Sequence, residues 1–165
     1  MKWDELGAQP CSVARTLAVF GDRWTLMILR DCFLGVRRFD AFQARLGLSR
    51  ALLADRLKGL TDAGVLERRT YQTGPERFEY RLTPAGIDFY PVVLGLANWG
   101  NRHLGDGRGA PLIHRHKTCD HDFVPVTTCS HCGDVVEARD VSVRPGPGFA
   151  DPRAPQPKSA PASPS

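Results

Sequence analysis

With 165 residues, 42% of them hydrophobic and 24% charged, the chain has the apolar content of a globular protein and the length for one main core with a small appendage. Its start, Met1-Lys2-Trp3-Asp4-Glu5, lacks the apolar stretch of a secretory leader, and the run 24–34 is too short to span a bilayer, so a cytoplasmic protein with no membrane partner is expected. The formal charge of +4 is local: residues 36–85 hold ten of the 22 lysines and arginines against six of the 18 acids, and the remainder balances twelve against twelve.

A first helix is expected to start at Ser12, whose hydroxyl can cap free amides, to carry Val13, Ala14, Leu17 and Phe20, and to stop at Gly21. A second, over 23–33, holds Trp24, Met27, Ile28, Leu29 and Cys32 and ends at Gly35. Asp40 with Gln43 three residues on makes a capping-box start for a short helix bearing Phe42 and Leu46, and Gly47 supplies a left-handed stop. Ser49 then caps a longer helix running to about residue 63. In it Leu53, Leu57 and Leu60 form one buried stripe, while Ala51, Ala54, Asp55, Lys58 and Asp62 share the outward face.

Over 65–71 and 78–82 the period changes to two, which predicts a hairpin around the loop 72–77. Thr83 followed by Pro84 starts a last helix to about residue 102, with Pro91 inside it as a bend or a lost hydrogen bond. Two apolar stripes on that helix, Ile87, Tyr90, Leu94, Ala97 and Phe89, Val93, Leu96, are more than one core can cover, so one is expected to face another subunit. A glycine-rich break at 105–109 leads to a Cys/His segment, and the Pro, Ala and Ser bias from Pro145 predicts a disordered tail. The expected architecture is mainly α with a small β-hairpin wing over 10–103, a small Cys/His-containing β appendage over 112–144 and the tail over 145–165.

Helix, turn, helix and arginine-rich hairpin in this order form a winged helix-turn-helix suited to double-stranded DNA. A helix entering the major groove needs an outer face that is small and polar, and Ala51, Ala54, Asp55 and Lys58 meet that need: methyls for a thymine methyl, an ammonium for guanine or phosphate, a carboxylate for cytosine or for orienting an arginine. Ser49 and Arg50 at the helix start, Arg37 and Arg38 before the preceding helix, and Arg68, Arg69 and Arg77 on the wing are placed to hold the phosphate backbone. Arg56 lies near the buried stripe and reads as a packing or salt-bridge residue. The competing reading is a winged helix used to bind protein or RNA, against which the wing arginines count. An enzyme is not expected, since the lone CxxC lacks the βαβ setting of a thioredoxin-like site.

The ordered matches Cys11 to Leu17, Arg23-Trp24-Thr25-Leu26, Ile28-Leu29-Arg30-Asp31, Arg37-Arg38-Phe39, Ala63-Gly64-Val65-Leu66-Glu67-Arg68-Arg69 and Tyr80-Arg81-Leu82-Thr83-Pro84-Ala85-Gly86 resemble the HxlR-type winged helix-turn-helix regulators of bacteria over roughly residues 10–100. The resemblance implies a homodimeric transcription factor whose first and last helices build the dimer interface. Gly59 departs from the family pattern, in which a charged or polar helix former stands in mid-helix; glycine there costs about 1 kcal/mol relative to alanine.

Five cysteines in a reducing compartment argue for thiol chemistry or metal ligation over a disulfide framework. Cys11 precedes the first helix, whose positive end favours a thiolate, and some similar regulators use a cysteine at the matching position to sense oxidants or electrophiles. The alternative is a small hydrophobe at the dimer seam; Cys32, on an apolar face, reads as core. Cys119-Asp120-His121 and Cys129-Ser130-His131-Cys132-Gly133 carry ligand types for structural zinc, with Cys129 and Cys132 as a knuckle, Cys119 as third ligand and His121, His116 or His131 as fourth. A small hairpin with neighbouring thiols, or a reversible disulfide, is the competing reading.

Overall fold

The structure is a computed structural model that describes residues 7–74 and 76–149; the expectations placed on the first six residues and on 150–165 of the tail lie outside the described residues. Helices α1 (Ser12–Phe20), α2 (Arg23–Phe33), α3 (Phe39–Leu46) and α4 (Arg50–Asp62) precede strands β1 (Leu66–Thr73) and β2 (Glu76–Leu82), followed by α5 (Pro84–Asp88) and α6 (Tyr90–His103). Two short strands, β3 (Arg115–His116) and β4 (His121–Asp122), lie in the C-terminal segment. No helix among the described residues is long and apolar enough to cross a membrane.

The helix-turn-helix forms where the sequence places it. Ser49 Oγ accepts the Leu52 amide at 3.3 Å to cap α4, and Gly47, at φ 66°, ends α3 in the left-handed region. Leu53, Leu57 and Leu60 are buried against Ile28 and Leu29 of α2 and Phe42 of α3, and the same cluster takes in Cys32, Val65, Leu66 and Phe89. Burial of each such side chain contributes roughly 1.5–3 kcal/mol.

Several local expectations differ from what forms. The α1 cap position is Cys11 and not Ser12; its side chain makes no cap bond, because the serine already sits in the first helical position. Gly21 follows α1 with φ −72°, so no left-handed stop is used there. The capping box at Asp40 and Gln43 does not close: Arg38 is the α3 cap residue, and Gln43 instead donates to the Leu48 carbonyl at 3.4 Å, steadying the turn. The hairpin is longer than expected, since Gln72 pairs with Arg77 and Thr73 with Glu76 beyond a register shift after Thr70. Arg38 adds a bridge to Glu79 on the outer edge of β2, with the Tyr80 amide donating to the Arg37 carbonyl at 2.7 Å.

The expected last helix divides into α5 and α6 at Phe89, placing Pro91 in the first turn of α6, where its missing amide hydrogen has no intrahelical role. The break changes the phase of the apolar residues. Phe89 and Leu94 are buried, Tyr90, Val93 and Ala97 half-buried, and Ile87, Val92, Leu96 and Trp99 exposed. The exposed apolar set therefore mixes members of both expected stripes. Phe20 stacks on Phe89 with centroids 4.0 Å apart, joining α1 to this region.

Thr83 Oγ accepts the Gly86 amide at 3.2 Å and donates to the Gly64 carbonyl at 2.6 Å, tying the start of α5 to the turn that ends α4. That contact fixes Gly86 so closely that a Cβ there would stand 2.3 Å from the Val65 carbonyl oxygen. In contrast, a Cβ at Gly59 would meet nothing within 4 Å. Opposite effects follow: Gly86→Ala is expected to destabilise by about 1–3 kcal/mol through overpacking, and Gly59→Ala to stabilise by up to about 1 kcal/mol. Urea denaturation of both variants checks the signs, and a Gly86→Ala protein as stable as wild type would contradict the packing described.

Candidate nucleic-acid interface

The exposed side of α4 presents Ala51, Ala54, Asp55, Lys58 and Asp62. The two alanines leave room for close approach by a base edge. Lys58 Nζ lies 2.5 Å from Asp62 Oδ2 one turn further on, and this hydrogen bond, with the charge of Asp62, holds the Lys58 ammonium above its ordinary pKa. The lysine is charged at neutral pH and engaged with Asp62. Asp55 Oδ2 lies 3.3 Å from Arg56 Nη1, so the carboxylate is oriented by its neighbour.

Arginines flank this face on both sides. Toward the wing, the Arg68 guanidinium lies 3.9 Å from the centroid of Phe78, and Arg38 lies over Tyr71 at 4.6 Å. At the start of α4, Arg50 covers Phe39 at 5.1 Å and stands 3.7 Å from Asp40. Stacking holds these side chains extended while the guanidinium edges stay available for phosphate. Arg69 pairs with Glu67 at 2.6 Å, whereas Arg37 and Arg77 are exposed and ion-pair with no described residue. A groove of about 550 Å³ runs between α3 and the wing, lined by Arg38 and Arg50 with their aromatic supports Tyr71 and Phe39, and by Arg77 and Phe78. All the residues selected from sequence for DNA contact, Ser49 included, are exposed.

Two carboxylates that sequence reasoning passed over organise the interface. Asp22 caps α2, its Oδ1 accepting the Trp24 and Thr25 amides at 2.9 and 3.1 Å, and the same oxygen lies 3.2 Å from Arg56 Nε of α4. The expectation that Arg56 is structural holds. The aspartate just ahead of a helical apolar run was a readable cap signal. Asp31, wholly buried, accepts from Arg30 Nη2 at 2.7 Å and from Arg45 Nε at 3.1 Å; a pairing fourteen residues apart leaves no local signal.

The thiols separate by environment. Burial, with a smaller contribution from the neighbouring Asp31 charge, pushes Cys32 up to about 12, which suits a core thiol and no nucleophile. Cys11 is exposed at the start of α1. In the C-terminal segment the candidate zinc ligands fall into separate pairs: His116 Nδ1 lies 3.3 Å from Cys119 Sγ, and Cys129 is held below the usual thiol range by the amides of Cys132 and His131 and by the Cys132 side chain. Gly133, at φ 81°, closes the Cys129 turn, its amide donating to the Cys129 carbonyl at 2.9 Å. His121 Nδ1 turns to the Cys119 carbonyl at 2.5 Å. Among the described residues no group of three or more ligand-type side chains is gathered.

Known proteins are similar to this chain in sequence and in fold. The sequence profile of the HxlR-like helix-turn-helix family matches residues 19–107. The chain is 45% identical over 138 residues to the uncharacterized HTH-type transcriptional regulator Rv3095 of Mycobacterium tuberculosis, covering 84% of this chain and 87% of that protein. A match of that length in 165 residues necessarily includes 28–138, so it reaches through the Cys/His segment. Among solved structures, PA1607, a candidate transcription factor, matches with a TM-score of 0.75 at 30% identity over 84% of this chain and 96% of its own. The redox regulator HypR in its reduced form matches with a TM-score of 0.53 at 30% identity over 57% of this chain and 96% of its own. The family and these relatives are regulators and not enzymes. A profile over more than half the chain, a relative at 45% identity and a shared winged-helix fold lead to one conclusion: the protein belongs to the HxlR-like helix-turn-helix family of DNA-binding transcriptional regulators.

Proposed function

We propose that the protein is a homodimer that regulates transcription by binding a pseudopalindromic operator through α4 and the wing. The observation that carries this reading is the juxtaposition of a small, open helix face, Ala51, Ala54, Asp55 and Lys58, with a hairpin whose Arg68, Arg69 and Arg77 are all exposed. The helix reads base edges, and the arginines, with Arg37, Arg38, Ser49 and Arg50, fix position on phosphate. Dimerisation is supported by apolar side chains left in water: Val13 and Leu17 on α1, and Ile87, Val92, Leu96 and Trp99 on α5 and α6, each at least 42% exposed. A second copy covers such a patch isologously and sets two recognition helices about one turn of DNA apart.

Operator fragments selected from genomic DNA test the reading. Affinity should fall steeply with salt, because each neutralised phosphate releases a counterion. Lys58→Ala with Arg69→Ala should abolish binding while the dimer survives in sedimentation. Binding that is absent or independent of salt for every duplex, or a double variant that loses its dimer, would contradict these roles.

Regulation by thiol oxidation at Cys11 is part of the proposal. Its support is the exposure of the thiol ahead of α1, the apolar exposure of the same helix, and the likeness to HypR, a redox regulator. Cys11→Ser should bind operator normally and ignore diamide; a variant that still responds to diamide assigns sensing elsewhere.

For the C-terminal segment we propose one structural zinc held by Cys119, His121, Cys129 and Cys132, a donor set of thiolates and imidazole suited to that ion. Binding it requires His121 to turn from the Cys119 carbonyl and the two cysteine groups to close into one tetrahedron. Purified protein should then contain about one zinc per chain, lost in Cys129→Ser; protein prepared with zinc in the medium yet free of it rejects the site.

A further inference from the structure

We infer that the cleft between α2, α6 and the arm 111–115 is a binding site for a small aromatic anion, one or two rings bearing a single carboxylate. The cleft measures about 430 Å³, within the ~300–1,000 Å³ of small-molecule sites and nearly three times the ~150 Å³ cavity that admits benzene. Its walls are Phe33 of α2 with Leu34 just after it, Val93 and Ala97 of α6, and Leu112 and Ile113 of the arm. A second cleft of about 280 Å³ lies against the same arm, sharing Leu94, Leu112, Ile113 and His114. The arm is therefore a partition with space against it and not a packed layer of the core.

Polar groups converge on the apolar space. Tyr90 Oη lies 3.4 Å from His114 Nδ1, latching the arm to α6, and the Tyr90 ring is tilted against Phe33 at 4.9 Å to make an aromatic wall. No carboxylate is among the lining residues, while Arg30, His114 and Arg115 are. Arg115 is already matched by Asp120 and Asp122 at 3.2 and 3.0 Å. Arg30 and Arg45, in contrast, share the one carboxylate of Asp31, which leaves an excess positive charge on the α2 side of the cleft. Arg30 reaches Asp31 through Nε and Nη2, leaving Nη1 for an incoming oxygen. An apolar slot with an aromatic wall and a cation at one end fits a ring carrying an anionic head.

Calorimetric titration of the full chain with 1-naphthoate tests the site. One equivalent per chain is expected to bind saturably, and 1-naphthalenemethanol, of similar shape without the charge, at least tenfold more weakly. Ala97→Trp should fill the slot and weaken naphthoate at least tenfold while the thermal melt is retained; Leu112→Trp, on the exposed arm, serves the same end if the first variant fails to fold. No saturation at millimolar naphthoate, unchanged affinity in the folded slot-filling variant, or equal affinity for the alcohol would overturn the assignment. Binding that appears only on dilution to the monomer would give the cleft to a second copy and overturn it also. The titration contains no DNA, so its failure is separable from failure of the operator reading.

Discussion

Asp31 has no exposed surface, and a carboxylate taken out of water at that depth persists as a charge only if oppositely charged donors meet it. Arg30 beside it and Arg45 on the next helix supply them, with their own side chains 38% and 48% exposed. The desolvation cost thus falls mainly on the carboxylate, because the guanidinium groups keep part of their hydration. Since the Arg45 contact crosses from α2 to α3, the angle between these helices cannot drift without uncovering the charge. The hydrophobic stripe of α4 packs into that fixed angle, with Leu53 and Leu57 wholly buried. Apolar contact alone would tolerate several crossing geometries; a buried charge with one cross-helix partner tolerates few.

Asp22 acts similarly on the other side of α2. One oxygen both caps the helix and faces Arg56, so the origin of α2 and the middle of α4 are positioned by the same atom. Thr83 then joins the start of α5 to the turn after α4, and Arg38 joins the α3 approach to the wing edge. Each contact lies at an end or a loop, where repetitive backbone bonding stops and orientation would otherwise be loose. The outward face of α4 can consequently carry small residues, two alanines and a glycine, because its placement is set from behind.

The parts legible in the sequence are those whose cause is local. Ser49 before an apolar run, Gly47 and Gly64 after one, and the leucines of α4 carry their geometry within a few residues of chain. Asp40 and Gln43 had the right spacing for a capping box, yet Gln43 found the Leu48 carbonyl once the turn had folded, a partner that helix-start chemistry does not anticipate. Pro91 was visible as a disturbance, but whether it bends a helix or begins a new one depends on how Phe89 packs against Phe20 and the core. The exposure of Ala51, Ala54, Asp55 and Lys58 was legible because exposure on a helix follows from period. Asp31 with Arg45, the clefts along the arm and the grouping of the C-terminal ligands arise from distances that no period encodes.

The same long-range contacts define where an effect from outside the reading head can enter. Arg30 belongs at once to the Asp31 network and to the wall of the C-terminal cleft. A negative group on the free Nη1 of Arg30 would share that guanidinium with Asp31, so that Arg45 carries more of the buried charge. The balance would then move from the tie within α2 toward the α2–α3 tie, the one of the two that crosses between helices. On the other wall, α6 presents Val93 and Ala97 to the cleft while Leu96 and Trp99 remain in water. A group wedged into the cleft would press on the helix that carries the exposed apolar surface. In the proposed dimer a small rotation of each protomer would change the separation of the two recognition helices along DNA, where the half-site spacing is fixed by the duplex.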